Sequence, residues 1–266
     1  MARIRPMGEP RIQGAEWVGG DVVARGPVET RDSGRDGSHM FAAMFHVKHQ
    51  LVSWEPAIES LAADLARAKV CALNPNQRTQ LAAFGQTIIQ WAVPAGLTKI
   101  ASISAIAQNH FLDSLLGCAV LGTPATVSDV GTGPGIPGLP LAIAMPDTHF
   151  TLVDSRRKSI SFLEFVVATL GLPNVSCLRA RAGQDPLPIS SAVVARCVRP
   201  PQQIAPLLLT LAEPGGIVAL WVKQSLSLGP WSRALEASGQ AVSIVDVAAG
   251  SRLRRFLAMR RKSSDR

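Results

Sequence analysis

Between residues 55 and 121 apolar side chains return at three- and four-residue spacing. Ile58, Leu61, Ala62, Leu65 and Ala68 form one stripe, which predicts a helix from Glu55 to about Ala72. Asn74-Pro75 is a helix start, because asparagine can accept from orphan N–H groups and proline fits the first turn. Leu81, Phe84, Ile88 and Trp91 continue that helix until Pro94-Ala95-Gly96 stops it. Ile103, Ile106, His110, Leu112, Leu115 and Leu116 predict a third helix, from Ser102 to Leu121. The period then changes. Short apolar runs predict strands at 126–130, 149–153, 175–178, 192–195, 216–222, 242–247 and 253–259. Helical spacing lies between them, from near Pro137 to before Pro146 and over 157–170, 201–212 and 230–238. Alternating strands and helices make an α/β fold, with a parallel sheet covered on both faces. The last two strands have no helix between them and are expected to form an antiparallel edge.

Composition sets limits on this picture. The chain has 266 residues, 47% of them hydrophobic and 17% charged, which suits a large buried core and excludes wholesale disorder. No apolar run is long and uncharged enough to span a membrane, and no secretory signal is visible, so a cytoplasmic protein is expected. Cys71, Cys118, Cys177 and Cys197 are widely spaced and read as buried thiols. His46, Lys48 and His49 are too sparse a cluster to make a metal site, and no metal is expected.

The net charge of +8 is uneven. Residues 1–43 carry six Arg and six acids, whereas residues 252–266 carry seven basic residues against Asp265. Four regions follow: a flexible, Gly- and Arg-rich extension (1–43), a helical cap (44–122), a ligand-binding core (123–251), and a last strand with a basic tail (252–266). A basic tail gains affinity for nucleic acid by releasing counterions. A solvated tail that aids solubility accounts for it equally well.

The chemistry-bearing segment is the turn Gly131-Thr132-Gly133-Pro134-Gly135, directly after a strand and before a helix. Glycines there let a ligand approach the backbone closely. Asp154 ends the next strand, where a carboxylate can accept from both hydroxyls of a ribose. Residues 133–138 also satisfy the GxGxxG pattern of dinucleotide sites, so a nicotinamide-dependent oxidoreductase is one reading. Three features favour S-adenosyl-L-methionine. Asp129 precedes the turn, where an acid can hold an amino group. Pro134 and Pro137 remove donors that a pyrophosphate would use. The chain has no Tyr for the proton donor of a short-chain dehydrogenase.

The stretch from Ser128 to Ser155, SDVGTGPGIPGLPLAIAMPDTHFTLVDS, resembles the signature of the glucose-inhibited division protein B family. Members are bacterial methyltransferases acting on guanine N7 in small-subunit ribosomal RNA. Asn109-His110-Phe111-Leu112-Asp113-Ser114 resembles the family's His-x-x-Asp-Ser helix. Lys158, the Phe162-Leu163 pair and Ala195-Arg196 resemble further landmarks, and the similarity spans roughly 73–224.

The resemblance implies a seven-stranded, Rossmann-like methyltransferase sheet with an N-terminal helical cap and S-adenosyl-L-methionine as cofactor. It implies that Gly131 and Ile136, beside Gly133 and Gly135, contact that cofactor. Asp154 would hold the ribose, Ala182 and Gly183 would flank the adenine, and Arg196 would sit between cofactor and substrate. The partner would be small-subunit ribosomal RNA or an assembling 30S subunit, met by a monomer. The chain departs from the family's pattern at Gly96 (usually Asn), Asn109 (usually Arg), Ala195 (usually Ser) and Gln224 (usually Gly), all near the expected substrate side. A non-catalytic RNA-binding regulator that keeps the cofactor pocket is therefore a third reading.

Guanine N7 carries a lone pair and no proton, so its methylation needs orientation rather than a base. Arg196 and His110 are the candidates for a catalytic role. Arg196 and Arg199 could hold a guanine O6 or a phosphate, or pair with Asp113, Asp129 or Asp154. His110 and Asp113, one helical turn apart, could equally be a structural pair.

Overall fold

The computed structural model describes residues 54–196 and 199–263. The expected extension over 1–43, the His46, Lys48 and His49 cluster, and Cys197 lie outside the described residues.

Among the described residues, seven strands form one sheet: β1 (Thr126–Val130), β2 (His149–Asp154), β3 (Val175–Arg179), β4 (Ser190–Arg196), β5 (Ala212–Val222), β6 (Ala241–Ala249) and β7 (Arg252–Arg260). Their spatial order is β3-β2-β1-β4-β5-β7-β6. The first five run parallel, and β7 is antiparallel to both neighbours. The order reverses direction between β1 and β4, so the C-terminal ends of those strands open onto the crevice where such sheets bind ligands. Gly250 and Ser251 close β6 onto β7, with Gly250 at φ +56°, as a two-residue hairpin turn requires.

The inner strands are buried on both faces, and alternation sorts their side chains. Ala192 and Val194 of β4, with Ile217, Ala219 and Trp221 of β5, belong to the core on one face. Val193, Ala195, Val218, Leu220 and Val222 belong to the core on the other. The first face carries the N-terminal helices together with α6 (Gly138–Ala144) and α7 (Arg157–Leu170). The second carries α8 (Pro201–Leu211), while Trp231 and Leu235 of α9 (Pro230–Ala237) pack against its core.

The cap begins with α1 (Glu55–Arg67), which ends earlier than its apolar stripe because Lys69 takes a left-handed backbone, φ +55°. In α2 (Pro75–Thr87), Asn74 Oδ1 accepts from Gln77 N at 2.9 Å and Gln77 Oε1 from Asn74 N at 2.8 Å, a reciprocal cap. Gln77 Nε2 also donates to Ile143 O, tying α2 to α6. A π-helical stretch, Ile88–Ala92, continues α2. The third predicted helix is segmented: α3 (Ile103–Ile106), a π-helical stretch (Ala107–Leu112), α4 (Asp113–Leu115) and α5 (Cys118–Leu121). Trp221 locks this segment to the sheet. Its Nε1 donates to Asp113 O at 2.8 Å, its ring packs on Phe256, and Gly117 leaves the space the indole fills.

Part of the basic C-terminal segment is built into the sheet. Arg252, Arg254, Arg255 and Arg260 all lie within β7. Arg255 pairs with Asp246, its cross-strand partner, at 2.6 Å. Cys71, Cys118 and Cys177 are half-buried free thiols rather than fully buried ones.

Candidate active site

The glycine turn uses up its own backbone donors. Gly131 N and Thr132 N donate to Val153 O, Gly135 N and Ile136 N to Thr132 O, and Leu139 N to Gly135 O. Gly133 N donates to Asp154 Oδ2 at 2.9 Å and Gly138 N to Asp129 Oδ2 at 2.8 Å. Pro134 and Pro137 have none to give. A pyrophosphate therefore finds no free N–H in this loop, and the nicotinamide reading loses its anchor. Gly131, Gly133 and Gly135 all have positive φ, at +75°, +61° and +88°. Ile136 is buried in the apolar core beneath the turn.

Asp129 lies wholly under this loop. Its Oδ2 accepts from the Thr132 hydroxyl at 2.6 Å as well as from Gly138, while its Oδ1 is buried without a hydrogen-bond partner. Burial pushes the Asp129 carboxyl up to about 7. The hydrogen bonds from Thr132 and Gly138 and the Arg196 charge oppose that rise, and the Asp154 charge adds to it. An orphaned carboxylate oxygen with a raised pKa suits a cationic donor such as an α-amino group. The donor set fits the methionine end of S-adenosylmethionine.

Asp154 closes the neighbouring strand. Besides Gly133 N it accepts from Arg156 N at 2.8 Å and pairs with the half-exposed Arg156 side chain. Ala180 N donates to Asp154 O, which brings the turn after β3, with Ala182 and Gly183, to the same strand end. Gly183 has φ +83° and sits against Leu207 of α8. Six of the expected residues, Gly131, Gly133, Gly135, Asp154, Ala182 and Gly183, thus gather at the β1 and β2 ends and beside them.

Arg196 ends β4 one strand away, facing the cap because it shares parity with Ala192 and Val194. Its guanidinium donates to Asp113 Oδ2 at 2.9 Å, to Asn109 O at 3.0 Å, and to His110 Nδ1 at 3.2 Å. A guanidinium has only donors, so Nδ1 is the acceptor and Nε2 carries the proton, donated to Thr98 Oγ1 at 3.0 Å. Burial, and after it the Arg196 charge, holds His110 at about 4, so the imidazole is neutral at pH 7. His110 and Asp113 therefore do share a face, and they meet through Arg196.

Two functional candidates escaped the sequence reading. Arg252 and Arg254, alternate residues of β7 on the face of Phe256, also pair with the fully buried Asp113. Their signal was the i, i+2 spacing of the arginines at the start of the predicted last strand. Arg252 Nη2 donates to Asn109 Oδ1 at 2.7 Å, so a guanidinium stands beside position 109 although that residue is not Arg. Gly96 has φ +67°, a conformation glycine and asparagine both adopt, so the exchange there keeps the turn. Gln224 Nε2 donates to Leu253 O, again tying a departure to the hairpin. A cavity of about 1040 Å³ opens here, at the C-terminal ends of β4 and β5, with Trp221 and Trp231 in its wall.

Comparison with known proteins gives a consistent result. A family model described as GidB, rRNA small subunit methyltransferase G, matches residues 77–229. The ribosomal RNA small subunit methyltransferase G of Anaeromyxobacter sp. is 34% identical over 166 residues, covering 61% of this chain and 77% of that protein. The protein of that name from Roseiflexus castenholzii is 41% identical over 118 residues, covering 43% of this chain and 50% of its own. Among solved structures, a SAM-dependent methyltransferase from Aquifex aeolicus is similar over 62% of this chain and 97% of its own, with 25% identity and a TM-score of 0.47.

Proposed function

The chain belongs to the rRNA small subunit methyltransferase G family, and from that premise we propose that it methylates N7 of a guanine in small-subunit (16S) ribosomal RNA. The methyl donor is S-adenosyl-L-methionine. The observation that carries this reading is the glycine turn with its donors spent internally and a buried, unpartnered carboxylate oxygen of Asp129 beneath it. That arrangement suits a cationic amino acid end and disfavours a phosphate.

When bound, S-adenosylmethionine supplies an electrophilic sulfonium methyl group. Asp129 would offer Oδ1 to its amino group, and Asp154 would accept from its ribose hydroxyls in place of the Arg156 side chain. Gly131, Gly133, Gly135 and Ile136 would form the floor beneath it, and Ala182 and Gly183 would flank the adenine. Because N7 has a free lone pair, no residue must remove a proton from it. Arg196 and His110 are positioning residues: Arg196 holds the cap against the end of β4, and neutral His110 orients that guanidinium through Nδ1. Orientation of N7 toward the methyl group would be the source of rate, worth up to ~7–11 kcal/mol in favourable cases. Ribosomal RNA as substrate implies work in the cytoplasm, on the free RNA or the assembling subunit.

The test is transfer of a labelled methyl group to small-subunit ribosomal RNA, followed by borohydride and aniline scission at N7-methylguanine. A single cleavage site present with the enzyme and missing without it is the expected result. Label found only on another atom, or cofactor binding with no transfer, overturns the reading. Asp154→Ala should weaken cofactor affinity by roughly ten- to a hundredfold in calorimetry, because charged hydrogen bonds disappear.

A further inference from the structure

The cavity at the ends of β4 and β5 is lined by Arg196, Arg199, Lys223, Arg252 and Arg254, and no carboxylate lines it among the described residues. Asp113 sits behind three of these cations, wholly buried. Its Oδ2 is taken by Arg196 and its Oδ1 by Arg254. One carboxylate cannot neutralise three guanidinium groups. Arg252 shows the deficit directly: its Nε is ion-paired with Asp113 Oδ1 at 3.4 Å, unaligned for a hydrogen bond, and is buried with no hydrogen-bond partner. Such a donor carries a desolvation cost, and a second negative charge near the cluster would offset the excess of positive charge. Both Arg252 and Arg254 keep about a quarter of their side-chain surface open, so a ligand can reach them.

A phosphodiester matches these groups. It carries one negative charge and two free oxygens, which can accept from the guanidinium N–H groups that Asp113 and Asn109 leave open. The cavity is large enough for a nucleotide with its flanking phosphates. We propose that Arg252 and Arg254, delivered by the β6–β7 hairpin, are phosphate-binding residues that seat the RNA strand beside the methyl-transfer pocket. The proposal rests on RNA being the substrate and adds which residues grip its backbone. Phosphate contacts of this kind position the strand and carry no sequence information.

The experiment measures binding of the full chain to a guanine-containing single-stranded RNA by fluorescence anisotropy over a series of salt concentrations. Arg252→Gln and Arg254→Gln should each weaken binding roughly tenfold. Each should also lower the slope of log K against log salt by ~0.7, the value for neutralising one phosphate fewer on a single strand. Cofactor affinity, measured by calorimetry on the same preparations, should be unchanged. Arg260→Gln removes the same charge from the far end of β7 and should keep the full slope. Arg252→Lys and Arg254→Lys, which keep the charge and are expected to fold, should restore the slope.

Unchanged slopes in the Gln variants overturn the proposal, as does an equal weakening in Arg260→Gln. A weakening confined to cofactor affinity assigns the anion to the methionine carboxylate instead, and also overturns it. Inorganic phosphate competing as well as RNA, phosphate for phosphate, marks a small-molecule site and does the same. Should a Gln variant fail to fold, a Lys variant that folds but lacks the slope is equally fatal. Since anisotropy does not depend on methyl transfer, failure here is separable from failure of the enzymatic assignment.

Discussion

Asp129 and His110 are two buried titratable groups displaced in opposite directions, and each has a pH signature. The imidazole titrates near 6.5 when unfolded and at about 4 when folded. Between those values the unfolded chain binds more protons, so His110 costs stability as pH falls, on the order of 3 kcal/mol in full. The Asp129 carboxyl runs from 3.8 unfolded to about 7 folded, so it costs stability as pH rises through that range. The two slopes oppose each other between pH 4 and 6.5. Urea unfolding of His110→Gln should therefore reveal a gain toward acid relative to the parent, and Asp129→Asn a loss. A parallel shift in both variants would contradict the assignment. If Asp129 receives the cofactor's ammonium, binding must ionise it. Calorimetry near pH 6 in two buffers should then show release of about one proton, absent in Asp129→Asn and fading above pH 8.

The helices and strands were legible where local chemistry settles them. The Asn74 and Gln77 cap, the Gly171 stop at φ +59° and the apolar runs of β1 and β2 all act within a few residues. The π-helical stretches were not legible, since apolar spacing alone predicted one regular helix through His110. A π-turn widens the local repeat, and here it accompanies the contacts of Asn109 and His110 with Arg196. Strand β5 also begins before its apolar run at Gly216, because Ala212 pairs with Ser190 across a bulge. The start of α6 is a tightly built junction. A Cβ on Gly138 would lie 2.3 Å from Leu152 Cδ2 and 2.6 Å from Asp129 Oδ2. Gly138→Ala should cost ~1–3 kcal/mol in urea unfolding and weaken cofactor binding as well, since it displaces the carboxylate. Full stability with normal cofactor affinity would show that this junction is looser than described.

Asp113 joins parts of the chain far apart in sequence. Its carboxylate meets guanidinium groups from β4 and β7, and its carbonyl oxygen accepts from Trp221 of β5. The cap, the parallel sheet and the antiparallel hairpin converge on that one residue. Asp113→Asn keeps the shape and removes the charge. It should lower stability by roughly 3–5 kcal/mol, the usual result of leaving buried charges uncompensated. Raised salt should recover part of that stability by screening the exposed edge of the arginines. A change within the error of chemical denaturation would mean that the guanidinium groups are already neutralised elsewhere.

The sequence alone determined the alternation of strands and helices, the antiparallel edge, the glycine turn and the carboxylate at the tip of β2. Each is encoded by neighbours in the chain, through backbone conformation, capping and apolar spacing. Only the tertiary structure decided what the charged residues do. The last strand was predicted, but what its arginines face is settled only when β7 is seen lying beside β5. Strand parity then turns Arg252 and Arg254 toward Asp113, more than a hundred positions earlier. Electrostatic partners depend on distance in space, and no local pattern records it.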